Sequence, residues 1–249
     1  METPTLSTMV VLYNTNLKFD TTALLHAIPL DSQIIKVEKR GFLRRGESKR
    51  DKIKRRSKKE PSTNTTGFCH NSLTIVMLND ADGNLPQKEI TIKIFQNGVF
   101  HMTGILDDAY DQSVVQILMK VLWESCRDAI KDAPEVPEIT HRRVVLMNYT
   151  TKLIGDRTVA REALHTNIRN LHDDKIVSHY DPDVYPGVKI CVGDGKWTAK
   201  VFRTGKIILT GITHKNECTQ FIEQLLGLFE KVLPKKHSLE SKSAPAVRL

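Results

Sequence analysis

The sequence predicts an α+β protein built from two copies of one unit, in which antiparallel strands form a sheet and helices lie on one side of it. A twelve-residue phrase occurs twice, at residues 94–105 and 201–212, and its Phe, Gly, Thr-Gly and Ile recur at one constant offset. Both copies have the pattern of a strand, a glycine-containing turn and a second strand, and an amphipathic helical stretch follows each. A match of this length indicates a duplicated unit.

The first half has the pattern of a strand, a helix, four strands and a long helix. Asp20 is a favoured helix-capping residue, and it precedes a helical stretch over residues 21–27. Apolar residues recur at helical spacing from Asp111 onward. β-prone runs bounded by turn residues predict strands at residues 8–14, 33–37, 73–78, 89–95 and 99–105.

The second half repeats this order. A helical pattern covers residues 159–171, and the final helix carries Cys218, Phe221 and Leu225 on one face. Strands are predicted at residues 143–149, 176–180, 188–192, 197–203 and 206–212. The predicted organisation is therefore a first repeat over residues 1–133, a second over residues 134–234 and a flexible tail over residues 235–249.

A basic insert, at about residues 40–66, accounts for the greater length of the first half. Residues 40–60 hold eleven Lys or Arg and three acids, so this tract alone carries the net charge of +8 and the remaining chain is neutral. Such a tract favours disorder. Its function is either an arm that binds phosphates, or a nuclear-localisation-like signal, or none beyond that of a solvated loop.

Each unit has one long helix, which covers only one face of its sheet. Two units joined edge to edge give one continuous curved sheet with all helices on the same side. Because strands alternate their side chains, Lys93, Phe95, Lys200 and Phe202 are predicted on the uncovered face. An exposed aromatic beside a lysine, present twice, indicates a surface that binds a partner.

Several functional classes are excluded by composition and motifs. No apolar run approaches the ~20 residues of a membrane span, and the N-terminus lacks the pattern of a signal peptide, so an intracellular protein is expected. The four cysteines form no C-x-x-C pair, which argues against zinc and for reduced thiols. No phosphate-binding loop, nucleophile elbow or H-E-x-x-H motif is present. We therefore expect no catalysis, metal, cofactor or small-molecule substrate.

Two phrases in the second half carry a family resemblance. Residues 178–187, Ser-His-Tyr-Asp-Pro-Asp-Val-Tyr-Pro-Gly, resemble S-x-Y-x-P-x-x-F-P-G, and residues 201–211 resemble I-F-x-S-G-K-x-V-x-T-G. Both are motifs of the TATA-box-binding protein family, a saddle of two repeats that binds DNA in the minor groove. The resemblance covers nearly the whole chain except the insert and the tail. The long insert and residues 68–75 resemble the divergent versions encoded by large cytoplasmic DNA viruses.

The resemblance implies a set of DNA-binding residues. Its aromatic wedges, which enter and unstack base steps, correspond to Phe68, Phe95, Tyr185 and Phe202. Its central threonines, which reach the hydrogen-bond acceptors of the minor groove, correspond to Thr103 and Thr210. Basic residues beside the wedges are expected to contact phosphates, and these are Lys93, Lys200, Arg203 and Lys206.

The sequence departs from the family at several of these places. The family has an Asn on the first strand of each repeat, and the matching places here fall near Thr8 and Arg143. His101 replaces a small apolar residue of the groove floor, and Lys93 and Lys200 replace leucines. These changes put selectivity for TATA sequences in doubt more than DNA binding itself, because added lysines favour phosphate contact.

The resemblance implies a transcription initiation factor that binds and bends promoter DNA and recruits general transcription factors or RNA polymerase subunits. It would act in the host cytoplasm, at a viral replication site, or in the nucleus. One alternative is a protein-interaction scaffold that keeps the saddle with weak or nonspecific DNA binding. Another is an enzyme with a related saddle domain, against which the absence of catalytic motifs counts.

Overall fold

The computed structural model describes residues 1–53, 71–154, 158–193 and 195–233. Three sequence-based expectations lie outside these ranges: the wedge role of Phe68, the second part of the insert at residues 54–66, and the tail at residues 235–249. The other predicted elements and candidate site residues lie inside them.

The chain contains thirteen strands and four helices among the described residues. The first eleven elements are β1 (Thr5–Thr15), β2 (Lys18–Phe19), α1 (Thr21–Ala27), β3 (Ile34–Lys39), β4 (Leu43–Gly46), β5 (Ser72–Asn79), β6 (Lys88–Phe95), β7 (Val99–Ile105), α2 (Asp108–Ser125), β8 (Ile130–Lys131) and β9 (Ile139–Lys152). The remaining six are α3 (Arg161–Arg169), β10 (Ile176–His179), β11 (Val188–Val192), β12 (Trp197–Val201), β13 (Lys206–Ile212) and α4 (Lys215–Val232).

These elements form two compact units. The larger unit contains residues 4–150 and 210–214, and the smaller contains residues 1–3, 151–209 and the segment that begins at Lys215. Strand β9, which the sequence analysis places in the second repeat, therefore lies mostly in the larger unit.

The larger unit is an antiparallel sheet with the strand order β9-β1-β7-β6-β5-β3-β4. Helices α1 and α2 pack against β3, β5 and β7. The sheet residues that the helices cover include a row across five strands, made of Val37, Ile75, Ile92, Met102 and Val11, all fully buried. Burial of this alternating apolar set fixes the register of the strands, because a shift by one residue would expose it.

The smaller unit is built in the same way, with the strand order β10-β11-β12-β13. Helix α3 packs on β10 and β11 and also contacts α4. The Trp197 ring stacks on Phe221 of α4 at a centroid distance of 5.4 Å, which joins this helix to β12.

The predicted duplication is confirmed by the element boundaries. Strand β13 and helix α4 begin and end at the same constant offset from β7 and α2 that relates the two copies of the repeated phrase. The turns agree as well, since Gly98 and Gly205 have φ values of 82° and 77°. At Gly98 a side chain would also collide with the carbonyl oxygen of Leu17, so glycine is required there for both reasons.

Helix α1 begins where the sequence predicts. The Asp20 carboxylate accepts hydrogen bonds from the backbone N–H groups of Thr22 and Ala23, at 2.9 and 3.1 Å. These contacts satisfy two of the donors that a helix start leaves unpaired, and they lower the pKa of Asp20.

The first part of the basic tract is ordered, so the expectation of disorder was wrong for residues 40–53. Strand β4 pairs with β3, and residues Lys49–Lys52 form a 3₁₀ turn. Repulsion among the basic residues is outweighed here by backbone pairing and by specific side-chain contacts. Arg45 donates to three carbonyl groups at the end of α1, and Asp51 pairs with Lys36.

A buried polar network joins α2 to β1 and β9 in the larger unit. Asp111 is fully buried and accepts from the Tyr13 hydroxyl at 2.6 Å and from Arg142 Nε at 2.7 Å. Arg142 also pairs with Asp108 at 2.6 Å. Burial and the Asp111 carboxylate raise the pKa of Tyr13 well above its usual range. The network is satisfied only while all its members are present.

We expect Asp111→Asn to lower the free energy of unfolding by about 3 kcal/mol, because the partly buried Arg142 charge loses its buried carboxylate. Asp108→Asn is the matched control. It removes a more exposed partner of the same arginine and should lower the free energy by about 1 kcal/mol or less. Urea denaturation of both variants measures the difference, and equal losses would contradict a special role for the buried carboxylate.

Candidate nucleic-acid interface

The helices leave one face of each sheet uncovered, and this open face carries the candidate residues. In β6 the buried residues Ile90, Ile92 and Ile94 alternate with half-buried ones that point to the open face. The latter include Lys93 and Phe95. The same alternation places Lys200 and Phe202 on the open face of the smaller unit.

Neither Phe95 nor Phe202, the predicted wedges at equivalent places in the two repeats, is fully buried. Phe95 and Phe202 are both half-buried, whereas their neighbours Ile94 and Val201 are fully buried. The difference follows from strand alternation, since each aromatic ring lies one residue after a core position. Both rings therefore remain accessible to a ligand at the open face.

Tyr185, Phe202 and Lys200 form one cluster in the smaller unit. The two rings meet edge to face at a centroid distance of 5.9 Å, and Lys200 Nζ lies 5.7 Å from the Tyr185 ring centroid. Gly187 makes room for the pair, because a Cβ there would lie 3.0 Å from Tyr185 Cε1 and 3.3 Å from Phe202 Cε1. The structure thus brings two predicted wedges and one predicted phosphate ligand together.

A row of basic residues crosses the open face of the smaller unit. Lys189 lies directly opposite Lys200 on one side and opposite His179 on the other. Like charges placed opposite one another destabilise a sheet unless an anion compensates them. No carboxylate forms an ion pair with these three residues in the part of the chain that the structure describes.

These residues belong to a basic pocket of about 670 Å³. Its described lining includes five basic side chains, and Asp181 is its one acid. The basic ones are His165, Arg169, His179, Lys189 and Lys200. The composition of this basic pocket fits a phosphate group better than a neutral or cationic ligand.

His165 lies at the wall of the basic pocket, where its Nδ1 is 2.8 Å from the Oγ of the buried Ser178. Burial, followed by the positive charges of Arg169 and His179, lowers the pKa of His165. The pKa of this imidazole therefore depends on the positive charges around the pocket.

In the larger unit, Lys93 lies opposite His101, and Thr103 lies opposite both Thr91 and Val10. Burial, and after it the Lys93 charge, lowers the pKa of His101, so this imidazole is neutral at pH 7. Its buried Nδ1 has no hydrogen-bond partner among the described residues. The open face here thus combines hydroxyl groups, a neutral imidazole and one lysine.

Comparison with known proteins finds sequence similarity to one family. The family model for transcription factor TFIID, or TATA-binding protein, matches residues 159–232. A TATA-box-binding protein-like protein of Acanthamoeba polyphaga mimivirus is 29% identical over 207 residues, which are 74% of this chain and 55% of that protein. The chain therefore spans about half the length of this relative. The TATA-box-binding protein of Methanocaldococcus jannaschii is 22% identical over 58% of this chain and 70% of its own.

A solved structure, Methanococcus jannaschii TBP, has the same fold. The TM-score is 0.52 at 16% sequence identity, and the match covers 92% of this chain and 99% of the archaeal one. The chain is thus similar to TATA-box-binding proteins in part of its sequence and in its fold. The resemblance to viral versions and the fold class expected from the sequence are both confirmed.

The structure makes Asn148, and not Arg143, the counterpart of Thr8 in the second repeat. Thr8 precedes the start of α1 at Thr21 by as many positions as Asn148 precedes the start of α3 at Arg161. Thr8 and Asn148 are direct partners in the β1–β9 ladder, whereas Arg143 lies opposite Leu12. The buried Asn148 Oδ1 has no hydrogen-bond partner among the described residues. Thr8 and Asn148 therefore occupy equivalent places in the two repeats.

Three other predicted residues lie on β13 or at the turn before it. Thr210 is half-buried and alternates with the buried Leu209 along β13, while Arg203 and Lys206 are exposed at the turn before this strand. Sequence reasoning missed Lys189, His179 and Arg169. Lys189 had a detectable signal, because it follows the motif at residues 178–187 and stands between the apolar Val188 and Ile190, and His179 lies within that motif.

Among the residues that the structure describes, no helix is long and apolar enough to cross a membrane. Within the same residues, no three His, Cys, Asp or Glu side chains converge as metal ligands.

We expect Arg169→Gln to raise the pKa of His165 towards its ordinary value, because loss of a nearby positive charge favours the imidazolium form. Lys196→Gln is the control, since Lys196 pairs with Glu217 and is not part of the described pocket lining. NMR titration of the imidazole signals measures both values. An unchanged pKa in Arg169→Gln would mean that the Arg169 charge does not act on His165.

Proposed function

We propose that this protein is a transcription initiation factor that binds promoter DNA through the minor groove and bends it. The observation that carries the proposal is the accessible aromatic beside a lysine on the open face of each unit, Phe95 with Lys93 and Phe202 with Lys200. Similarity to this family supports it, because the relatives are TATA-box-binding proteins.

The aromatic residues would deform the duplex. Tyr185 and Phe202 meet edge to face, and Gly187 leaves room for both rings. Insertion at a base step costs a few kcal/mol of stacking, and the bent DNA offsets this cost by contacting more protein. Phe95 would have the same role in the first repeat, where the predicted partner Phe68 lies outside the described residues.

The basic residues would hold the phosphates beside each wedge. Lys200, Lys189 and His179 form a row that an anionic strand would neutralise, and Arg203 and Lys206 extend the positive charge at the next turn. Lys93 would act in the first repeat. Contacts of this kind set affinity and position without reading sequence.

Hydrogen-bonding groups on the open faces would read the base edges. Thr103 and Thr210 offer hydroxyl groups, and Asn148 offers an amide whose Oδ1 is otherwise unpaired among the described residues. In the minor groove such groups separate A·T from G·C pairs but do not separate A·T from T·A. The neutral His101 would add a contact that small apolar residues lack.

Similarity to this family supports a non-enzymatic role in which the helices recruit general transcription factors or RNA polymerase subunits. The viral relative favours action in the host cytoplasm, at a replication site, with the nucleus as the alternative. An interaction scaffold with weak DNA binding is the second candidate. It is favoured by Glu38 and Glu89, whose acidic side chains lie on the open face of the larger unit.

We expect Phe202→Ala to abolish bending of a short A·T-rich duplex, because the remaining Tyr185 ring loses its partner and its support. Fluorescence energy transfer between dyes at the duplex ends measures the bend. Phe42→Ala is the control, since this ring is 72% exposed and lies in the β3–β4 turn. Full bending by Phe202→Ala would remove the wedge role.

We expect Lys200→Gln to reduce the slope of log affinity against log salt concentration by about 1, the value for one lost phosphate contact. Lys196→Gln removes the same charge from a lysine already paired with Glu217 and should leave the slope unchanged. Fluorescence anisotropy at several salt concentrations provides both slopes. Equal slopes in the two variants would place Lys200 away from the backbone.

A further inference from the structure

The first part of the basic insert lies against the open face of the larger unit. This docked segment, residues 43–53, comprises β4, a short link and the 3₁₀ turn Lys49–Lys52. Strand alternation assigns Lys36 and Val76 to the open face, because their neighbours Val37 and Ile75 face the helices. Lys36 and Val76 are nevertheless only 6% and 5% exposed. Another part of the chain therefore covers them, and the contacts of Lys36 show that this part is the docked segment.

Asp51 fastens the docked segment to the sheet. Its carboxylate accepts from Lys36 Nζ at 2.8 Å and lies 3.4 Å from Arg44. Lys36 also pairs with Glu38 at 2.6 Å, so one buried ammonium joins the open face to the segment. The Lys36 hydrogen bond, with those from Ser48, lowers the pKa of Asp51 well below its usual range.

Two further contacts hold the turn in place. The Ser48 hydroxyl and backbone N–H both donate to Asp51, at 2.9 and 2.8 Å. The backbone N–H of Lys49 donates to both oxygens of Glu89, at 2.9 and 3.2 Å. The turn therefore extends from β3 across the sheet to β6.

The turn also faces the part of the open face on which base edges would lie. Ser48, Lys49 and Arg50 line a hollow of about 510 Å³ together with Thr8, Thr91 and Gly104. Thr8 lies opposite Asn148, its counterpart in the second repeat, and Thr91 lies opposite Thr103. A duplex seated on this part of the open face would occupy the same space as the turn.

We propose that the docked segment occupies the open face in the absence of DNA, and that double-stranded DNA must displace this segment to bind the first repeat. The inference rests on the proposed function. DNA phosphates would replace the Asp51 carboxylate at Lys36, because both groups are anions that accept hydrogen bonds from the lysine ammonium. The exposed side chains of Lys49, Arg50 and Lys52 are attracted to the same strand once they are released. Docking thus lowers apparent affinity by the fraction of molecules that remain closed.

The test uses Asp51→Asn in the full chain, with Glu47→Gln as the matched control. Both variants remove one negative charge from the docked segment, but among the described residues Glu47 pairs only with Arg44, at 3.9 Å, on the surface. Any general electrostatic gain in DNA affinity is therefore the same in the two proteins. Ser48→Ala is a second variant that weakens the Asp51 contacts and keeps every charge.

Two readouts are combined. Without DNA, limited trypsin digestion followed by mass spectrometry should show faster cleavage after Lys49 and Arg50 in Asp51→Asn. With an A·T-rich duplex, fluorescence anisotropy should show affinity raised by roughly tenfold over Glu47→Gln, and by a smaller factor for Ser48→Ala. Urea denaturation checks that the remaining fold is unchanged.

Three results would overturn the inference. Faster cleavage with unchanged DNA affinity would mean that the released segment did not block the site. Reduced affinity would make the docked segment a DNA clamp instead of a competitor. Equal cleavage in all variants would show that Asp51 does not hold it. If neither the unmodified protein nor any variant bound DNA, the proposed function would be overturned too. If all of them bound DNA with equal affinity, only the inference would be overturned.

Discussion

The whole arrangement depends on a single layer of helices on each sheet. Because α1 and α2 cover only one face of the sheet in the larger unit, and α3 and α4 cover one face in the smaller unit, alternate residues of the strands point away from the helices. Burial of the other residues fixes the register. The register in turn determines which polar groups lie opposite one another, such as Lys93 with His101 and Lys189 with Lys200. The candidate interface is thus a consequence of core packing.

The two open faces share this construction but differ in charge. Corresponding rows read Glu38, Thr74, Lys93 in the larger unit and His179, Lys189, Lys200 in the smaller one. The smaller unit is therefore suited to an anionic ligand as it stands. The larger unit carries acids and receives a compensating basic segment from its own insert. The side chains of the two open faces therefore differ, whereas the paired turn glycines Gly98 and Gly205 have the same backbone conformation.

The insert also changes the edge of the larger sheet. Strand β3 would otherwise present unpaired backbone groups, and β4 pairs with it through four residue partners. The edge strand is now β4, which is only four residues long and carries Arg44 and Arg45, and short, charged edge strands discourage pairing with other chains. The same connection then brings Asp51 over the open face, so one inserted stretch has two structural effects: it protects an edge and it occupies a surface. Residues 43–53 are held by a few polar contacts, which are weaker than a packed apolar core and therefore suited to exchange.

The sequence by itself determined the duplication, the α+β class and most strands and helices, because periodicity and turn residues are local signals. Three predicted strands, at residues 99–105, 188–192 and 206–212, coincide with the observed ones. It also placed Phe95 and Phe202 on the open face, since alternation is local too. Only the tertiary structure showed that Asn148 partners Thr8, that Lys189 and His179 align with Lys200, and that Asp51 reaches Lys36. Strand pairing and the path of an insert bring together residues that are distant in sequence, and no local pattern records which of them meet.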